Sequence, residues 1–102
     1  MLEKQIEKKG GDYAKARGHL FYKFSSPSHA AVPDRLILAP VPLWLQPVIA
    51  RYVRFVEYKR TGEKPTAPQT REHERLRALG FTVDVIDSVE GSRAMSDRMG
   101  DV

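Results

Sequence analysis

The stretch YVRFVEYK, residues 52–59, constrains the fold more than any other part of this chain. Aromatic and β-branched residues at this density predict a strand. Strand alternation then puts Phe55, Glu57 and Lys59 on one face and Val56 and Tyr58 on the other. A carboxylate and an ammonium therefore stand two residues apart among side chains suited to burial. A buried charge is costly unless something compensates it. A solvated strand face, a structural ion pair or a bound metal would each meet that condition.

The remaining composition narrows the choice. A chain of 102 residues makes one compact domain with a modest core and is too short for two, so a single domain over 1–102 is expected. There is no cysteine, which excludes disulfides, thiolate zinc sites and cysteine nucleophiles. Lys and Arg total 17 against 13 Asp and Glu, a formal net charge of +4 that favours polyanionic partners without identifying one. The start, MLEKQIEKKGG, is too charged for the apolar region of a signal peptide. The most apolar run, LILAPVPLWLQPVIA (36–50), holds three prolines and is shorter than the ~20 residues of a membrane span. These features predict a cytoplasmic protein with no membrane partner.

Residues 2–17 predict a helix with Leu2, Ile6 and Tyr13 near one stripe, weakened at Gly10-Gly11 and ended by Gly18. HLFYKF (19–24) has strand composition, SSPSHAAVP is a turn-rich loop, and DRLILA (34–39) reads as a second strand. Residues 40–52 are an insertion in which prolines surround Trp44, Leu45, Val48 and Ile49. After the third strand, Thr66 and Gln69 fit a capping box opening a helix that runs to about Leu79, with Gly80 just past its end. FTVDVID (81–87) is a fourth strand, and about 88–102 is a frayed tail with a weak helical pattern. The order α-β-β-β-α-β implies an α/β domain around a mixed sheet of about four strands flanked by helices.

Asp34 opens one strand, and Glu57 and Lys59 share a face of the next. If those strands are neighbours, the three side chains converge. Two carboxylates and a strand carbonyl are hard oxygen donors suited to Mg²⁺ or Mn²⁺. An adjacent lysine would orient the attacking water, the apparatus of metal-assisted phosphodiester hydrolysis. Taken singly, the same residues have plainer readings. Glu57 and Lys59 would be a solvated strand face, and Asp34 after Pro33 a turn residue. The cluster Lys59, Arg60, Lys64 and Arg71 suits a phosphate backbone or a solvated face equally. His73, one turn after Gln69 toward Leu76 and Leu79, reads as a satisfied interior histidine.

VPDR at 32–35 followed by EYK at 57–59 resembles the PD-(D/E)XK nuclease signature. The flanking text, YKFSSPSHAAVPDRLIL and VRFVEYKRTGEKPTAPQTREHERLRALGFTVDVIDS, resembles the virus-type replication–repair nuclease (VRR-NUC) domain in its small standalone phage and bacterial form, over roughly residues 3 to 90. The signature alone is short and degenerate; the ordered set is more specific. The resemblance implies a restriction-endonuclease-like core and a Mg²⁺-dependent DNA endonuclease, with Mn²⁺ substituting, that leaves 5′-phosphate and 3′-hydroxyl ends. It also implies Asp34 and Glu57 as metal ligands, the Tyr58 carbonyl as a backbone ligand and Lys59 as the catalytic lysine. Glu3 on the first helix would complete the site, with Glu7 one turn later as the fallback. Gln69 matches a supporting glutamine, and Lys23 a basic position near the scissile phosphate. Arg35, Arg60, Lys64 and Arg71 are the other candidate nucleic-acid contacts.

Two features depart from the family pattern. Ala31 stands where glycine is usual, and the segment between Asp34 and Glu57 is longer and richer in proline. The resemblance implies branched DNA such as four-way junctions, met in repair, and a symmetric dimer; Trp44, Leu45, Val48 and Ile49 exceed what a small sheet can bury, which makes 40–52 the expected homodimer contact. A catalytically silent DNA-binding module that retains the fold is the rival from another class. It would bind junctions equally well in chelator and in Mg²⁺.

Overall fold

The computed structural model describes residues 1–25 and 31–100, which fall into two compact units, Met1–Pro40 and Val41–Val102. The four expected strands are present, but they form two two-stranded ladders instead of one mixed sheet. Among the described residues no helix is long and apolar enough to cross a membrane.

In the first unit, helix α1 (Glu3–Ala16) is followed by the antiparallel pair β1 (Leu20–Lys23) and β2 (Arg35–Leu38), which runs from Leu20 opposite Leu38 to Lys23 opposite Arg35. Most of the loop expected between them, residues 26–30, lies outside the described residues. The face that α1 buries is not the expected stripe: Leu2, Ile6 and Tyr13 are exposed, whereas Gly11 and Ala14 are buried. Small side chains decide this. A Cβ at Gly11 would stand 2.9 Å from the Phe21 ring, so the paired glycines that weaken the helix are what let β1 approach it. Gly18, at φ +80°, ends α1 in a Schellman turn, with Gly18 N–H donating to the Lys15 carbonyl and His19 N–H to that of Ala14.

The second unit holds a 3₁₀ turn (Leu43–Leu45), α2 (Gln46–Tyr52), β3 (Arg54–Tyr58), α3 (Ala67–Ala78), β4 (Thr82–Ile86) and α4 (Val89–Asp97). β3 and β4 are parallel, Arg54 opposite Thr82 through Tyr58 opposite Ile86, and α3 is the crossover that a parallel pair requires. The two helices take opposite faces of this ladder. Phe55 meets Phe81 edge-on at 5.8 Å, and Glu57 faces α3. On the other face, Arg54 pairs with Asp84 at 3.2 Å and the Tyr58 hydroxyl meets Ser92 Oγ of α4 at 2.8 Å. Leu76, Val83, Ile86 and Met95 form the buried core, each side chain contributing about 1.5–3 kcal/mol of burial at full enclosure.

Two expectations need correction here. The insertion 40–52 carries a helix, and the third strand begins at Arg54, with Tyr52 still in α2. Pro47 occupies the first turn of α2, where a missing N–H costs nothing. The C-terminal stretch is likewise a formed helix through Asp97: Ser88 Oγ accepts from Gly91 N–H at 3.0 Å, and Met95 is buried.

Candidate active site

In the second unit the chemistry gathers on Glu57. β3 presents its side chain toward α3, where Gln69 and His73 stand one turn apart and therefore on one helical face. Gln69 Nε2 donates to Glu57 Oε2 at 3.4 Å, and His73 Nε2 lies 3.2 Å from Oε1. Lys59, just past the strand on the same face, holds its Nζ 4.0 Å from Oε2. The charge that looked costly on an apolar strand thus has three compensating neighbours, and it keeps partial contact with solvent, the Glu57 side chain being 28% exposed.

The orientation of Gln69 follows from its second task. Thr66 Oγ1 accepts from Gln69 N–H at 3.3 Å, and Thr66 N–H donates to Gln69 Oε1 at 3.0 Å. This is the expected capping box. Because Oε1 is taken by the cap, the amide nitrogen must face Glu57. Helix start and strand carboxylate are therefore locked together through one side chain.

The Tyr58 side chain turns to α4, and its carbonyl lies at the end of the ladder, where Lys59 N–H donates to the Ile86 carbonyl at 2.9 Å. Arg60 is paired with Glu63 at 3.5 Å, and Lys64 and Arg71 are exposed. The loop that carries Arg60 is tied down by Thr61 Oγ1 donating to the Asp87 carbonyl and Gly62 N–H to the Asp87 carboxylate.

In the first unit, Glu3, Glu7, Lys23, Asp34 and Arg35 line one cavity of about 340 Å³ together with Lys4 and Phe24. Five of the sequence-selected residues, Glu7 among them as the fallback, are brought together there. Asp34 is exposed directly ahead of β2, and its carbonyl accepts from Phe24 N–H at 2.9 Å. The two glutamates differ. Arg35 Nε donates to Glu7 Oε2 at 2.7 Å, which holds the Glu7 carboxyl below its ordinary range. The same guanidinium stacks on Phe21, 4.6 Å from the ring centroid. Glu7 is thus paired with Arg35, and Glu3 lines the same cavity one turn earlier on α1.

Among the described residues, no group of three or more His, Asp or Glu side chains is assembled as a metal cage. The donor chemistry nevertheless suits a hard divalent cation. Within the first unit Glu3 and Asp34 line one cavity, and within the second Glu57 offers a carboxylate; all are hard oxygen donors, and there is no thiolate. Sequence reasoning placed His73 in the interior but missed its bond to Glu57. The available signal was its four-residue spacing from Gln69, which puts both side chains over the same strand.

The chain is 44% identical over 86 residues to a protein named "Putative nuclease p44" from Acyrthosiphon pisum secondary endosymbiont phage 1, covering 84% of this chain and 83% of the phage protein. No family model matches, and no solved structure matches significantly.

Proposed function

We propose, since the chain belongs to the family of the phage protein p44, that it is a divalent-metal-dependent DNA endonuclease of the PD-(D/E)XK class and VRR-NUC type, acting on branched DNA. The observation that carries the reading is Glu57 and Lys59 on one strand face, 4.0 Å apart, with Gln69 hydrogen-bonded to Glu57. That is the E-x-K pattern with its supporting glutamine, in a relative of a protein named a nuclease. In this reading Asp34 and Glu57 would be the charged metal ligands, and Glu3 and the Tyr58 carbonyl would complete the set. When bound, Mg²⁺, or Mn²⁺ in its place, supplies Lewis acidity at the scissile phosphate. Lys59 orients the attacking water and offsets negative charge building on the phosphate oxygens. Water oxygen bonds to phosphorus as the bond to the 3′ oxygen breaks, leaving 5′-phosphate and 3′-hydroxyl ends. Lys23, Arg35, Arg60, Lys64 and Arg71 are the candidate contacts to the backbone. The protein works as a homodimer in the cytoplasm of a bacterial or phage-infected cell.

The test is incubation of purified protein with linear, flapped and four-way DNA, with and without Mg²⁺. Cleavage should need the metal and favour the branched substrates. Asp34→Asn and Glu57→Gln should each abolish cutting and leave DNA binding largely intact, because each removes a charge without removing bulk. Near-normal cutting by either variant would show that the assigned ligands are wrong. Metal-independent binding to junctions without any cleavage would favour the silent module.

A further inference from the structure

We infer that His73 is a positioning residue for Glu57. It fixes the carboxylate in one orientation, with a defined pair of lone-pair directions left for a cation. This rests on the metal-dependent reading above and adds a residue to it. An ionised carboxylate has no hydrogen to give, so Nε2 of His73 is the donor to Oε1, 3.2 Å away. Gln69 donates to the other oxygen at 3.4 Å. Each carboxylate oxygen therefore has one α3 donor, and each keeps acceptor capacity.

Both donors sit on a rigid scaffold. Gln69 is locked by the capping box with Thr66. His73 is 7% exposed, the buried polar side chain among the described residues, and shares a helix with buried Leu76. An imidazole needed only as filler at such a position would be better replaced by an apolar side chain, since burying a polar ring is costly unless it is bonded. Its bond goes to the E-x-K glutamate. Lys59 does not do the same work, because its Nζ at 4.0 Å lies outside hydrogen-bond range and imposes no direction.

Outer hydrogen bonds of this kind typically govern metal affinity by roughly 10- to 100-fold. Calorimetric titration of Mg²⁺ into DNA-free protein should therefore show affinity weakened by roughly that factor in His73→Leu. His73→Gln, whose amide reaches about as far as Nε2 and also donates, should recover most of it. Cleavage should follow the same order, with the loss in His73→Leu largely reversed at saturating Mg²⁺. A merely structural histidine would give a different pattern: both variants would have lower melting temperatures and unchanged Mg²⁺ affinity in the folded protein, which would overturn the inference.

The wild-type protein offers a check that needs no variant. The His73 Nε2–H resonance should shift along the Mg²⁺ isotherm as the carboxylate is polarised, and a resonance unmoved at saturation would overturn the inference. Glu57→Gln run in parallel separates the two claims. If it abolishes Mg²⁺ binding while His73→Leu leaves it intact, only the role of His73 falls. If Glu57→Gln itself binds Mg²⁺ normally, the ligand assignment falls and takes this inference with it.

Discussion

Lys59 keeps a charged side chain only 12% exposed, close enough to Glu57 for attraction and too far for a hydrogen bond. A structural counter-charge would close that gap, whereas a lysine meant for a phosphate or a water needs its protons free. Lys59→Ala should accordingly lower turnover while Mg²⁺ affinity stays within a few fold. Collapsed Mg²⁺ binding with normal turnover per bound metal would make Lys59 a counter-charge after all. The paired glycines of α1 make a second residue-scale case. Among the described residues, and leaving aside its chain neighbours and its own helix backbone, nothing lies within 4 Å of a Cβ at Gly10, but one at Gly11 would strike Phe21 at 2.9 Å. Gly10→Ala should stabilise by about 0.5–1 kcal/mol through helix propensity. Gly11→Ala forfeits that gain and should cost a further 1 kcal/mol or so, because overpacking forces the ring aside. Urea unfolding of both variants checks the pair, and equal effects would mean that Phe21 yields freely.

At the scale of elements, the capping box does more than start α3. Thr66→Ala should cost about 1 kcal/mol of stability, the usual value of such a cap, and should also slacken Gln69 against Glu57. Thr66→Ser, which keeps the oxygen, should restore both stability by urea unfolding and cleavage rate. The box was legible in the sequence because capping depends on neighbours three residues apart, and Gly80 was legible as the helix end for the same reason. Strand alternation likewise put Glu57 and Lys59 on one face. Sequence could not give the register of α3 over β3, which sets the His73–Glu57 bond, because that depends on contacts sixteen residues apart. The misread face of α1 has a similar cause: apolar periodicity favoured Leu2, Ile6 and Tyr13, but close packing selected Gly11 and Ala14. In residues 40–52 the prolines disfavour a continuing strand, and Pro47 in addition suits the first turn of a helix.

At the scale of the whole molecule, a group of large apolar side chains on the second unit stands exposed. Leu43 and Trp44 are 80% and 77% exposed, and Val48 and Tyr52 on the adjoining α2 are also exposed. Leu45 and Ile49 are half-buried and serve the unit's own packing. Large apolar side chains grouped in this way usually mark a contact surface. A second copy of the chain is the proposed occupant, because an isologous contact would pair two nuclease sites about a twofold axis and so suit them to opposing strands of a junction. Exposed Trp at the centre of such a contact commonly contributes ~2 kcal/mol or more. Trp44→Ala combined with Leu43→Asp should therefore shift sedimentation toward monomer and weaken paired-strand cutting of four-way DNA. Single-strand nicking should persist, since neither residue belongs to the proposed catalytic set. Both substitutions fall on exposed positions, so the melting temperature measured at dilutions where the wild type is monomeric should change little. Wild-type protein that sediments as a monomer at micromolar concentration would defeat the dimer, and the patch would then need a partner of another kind.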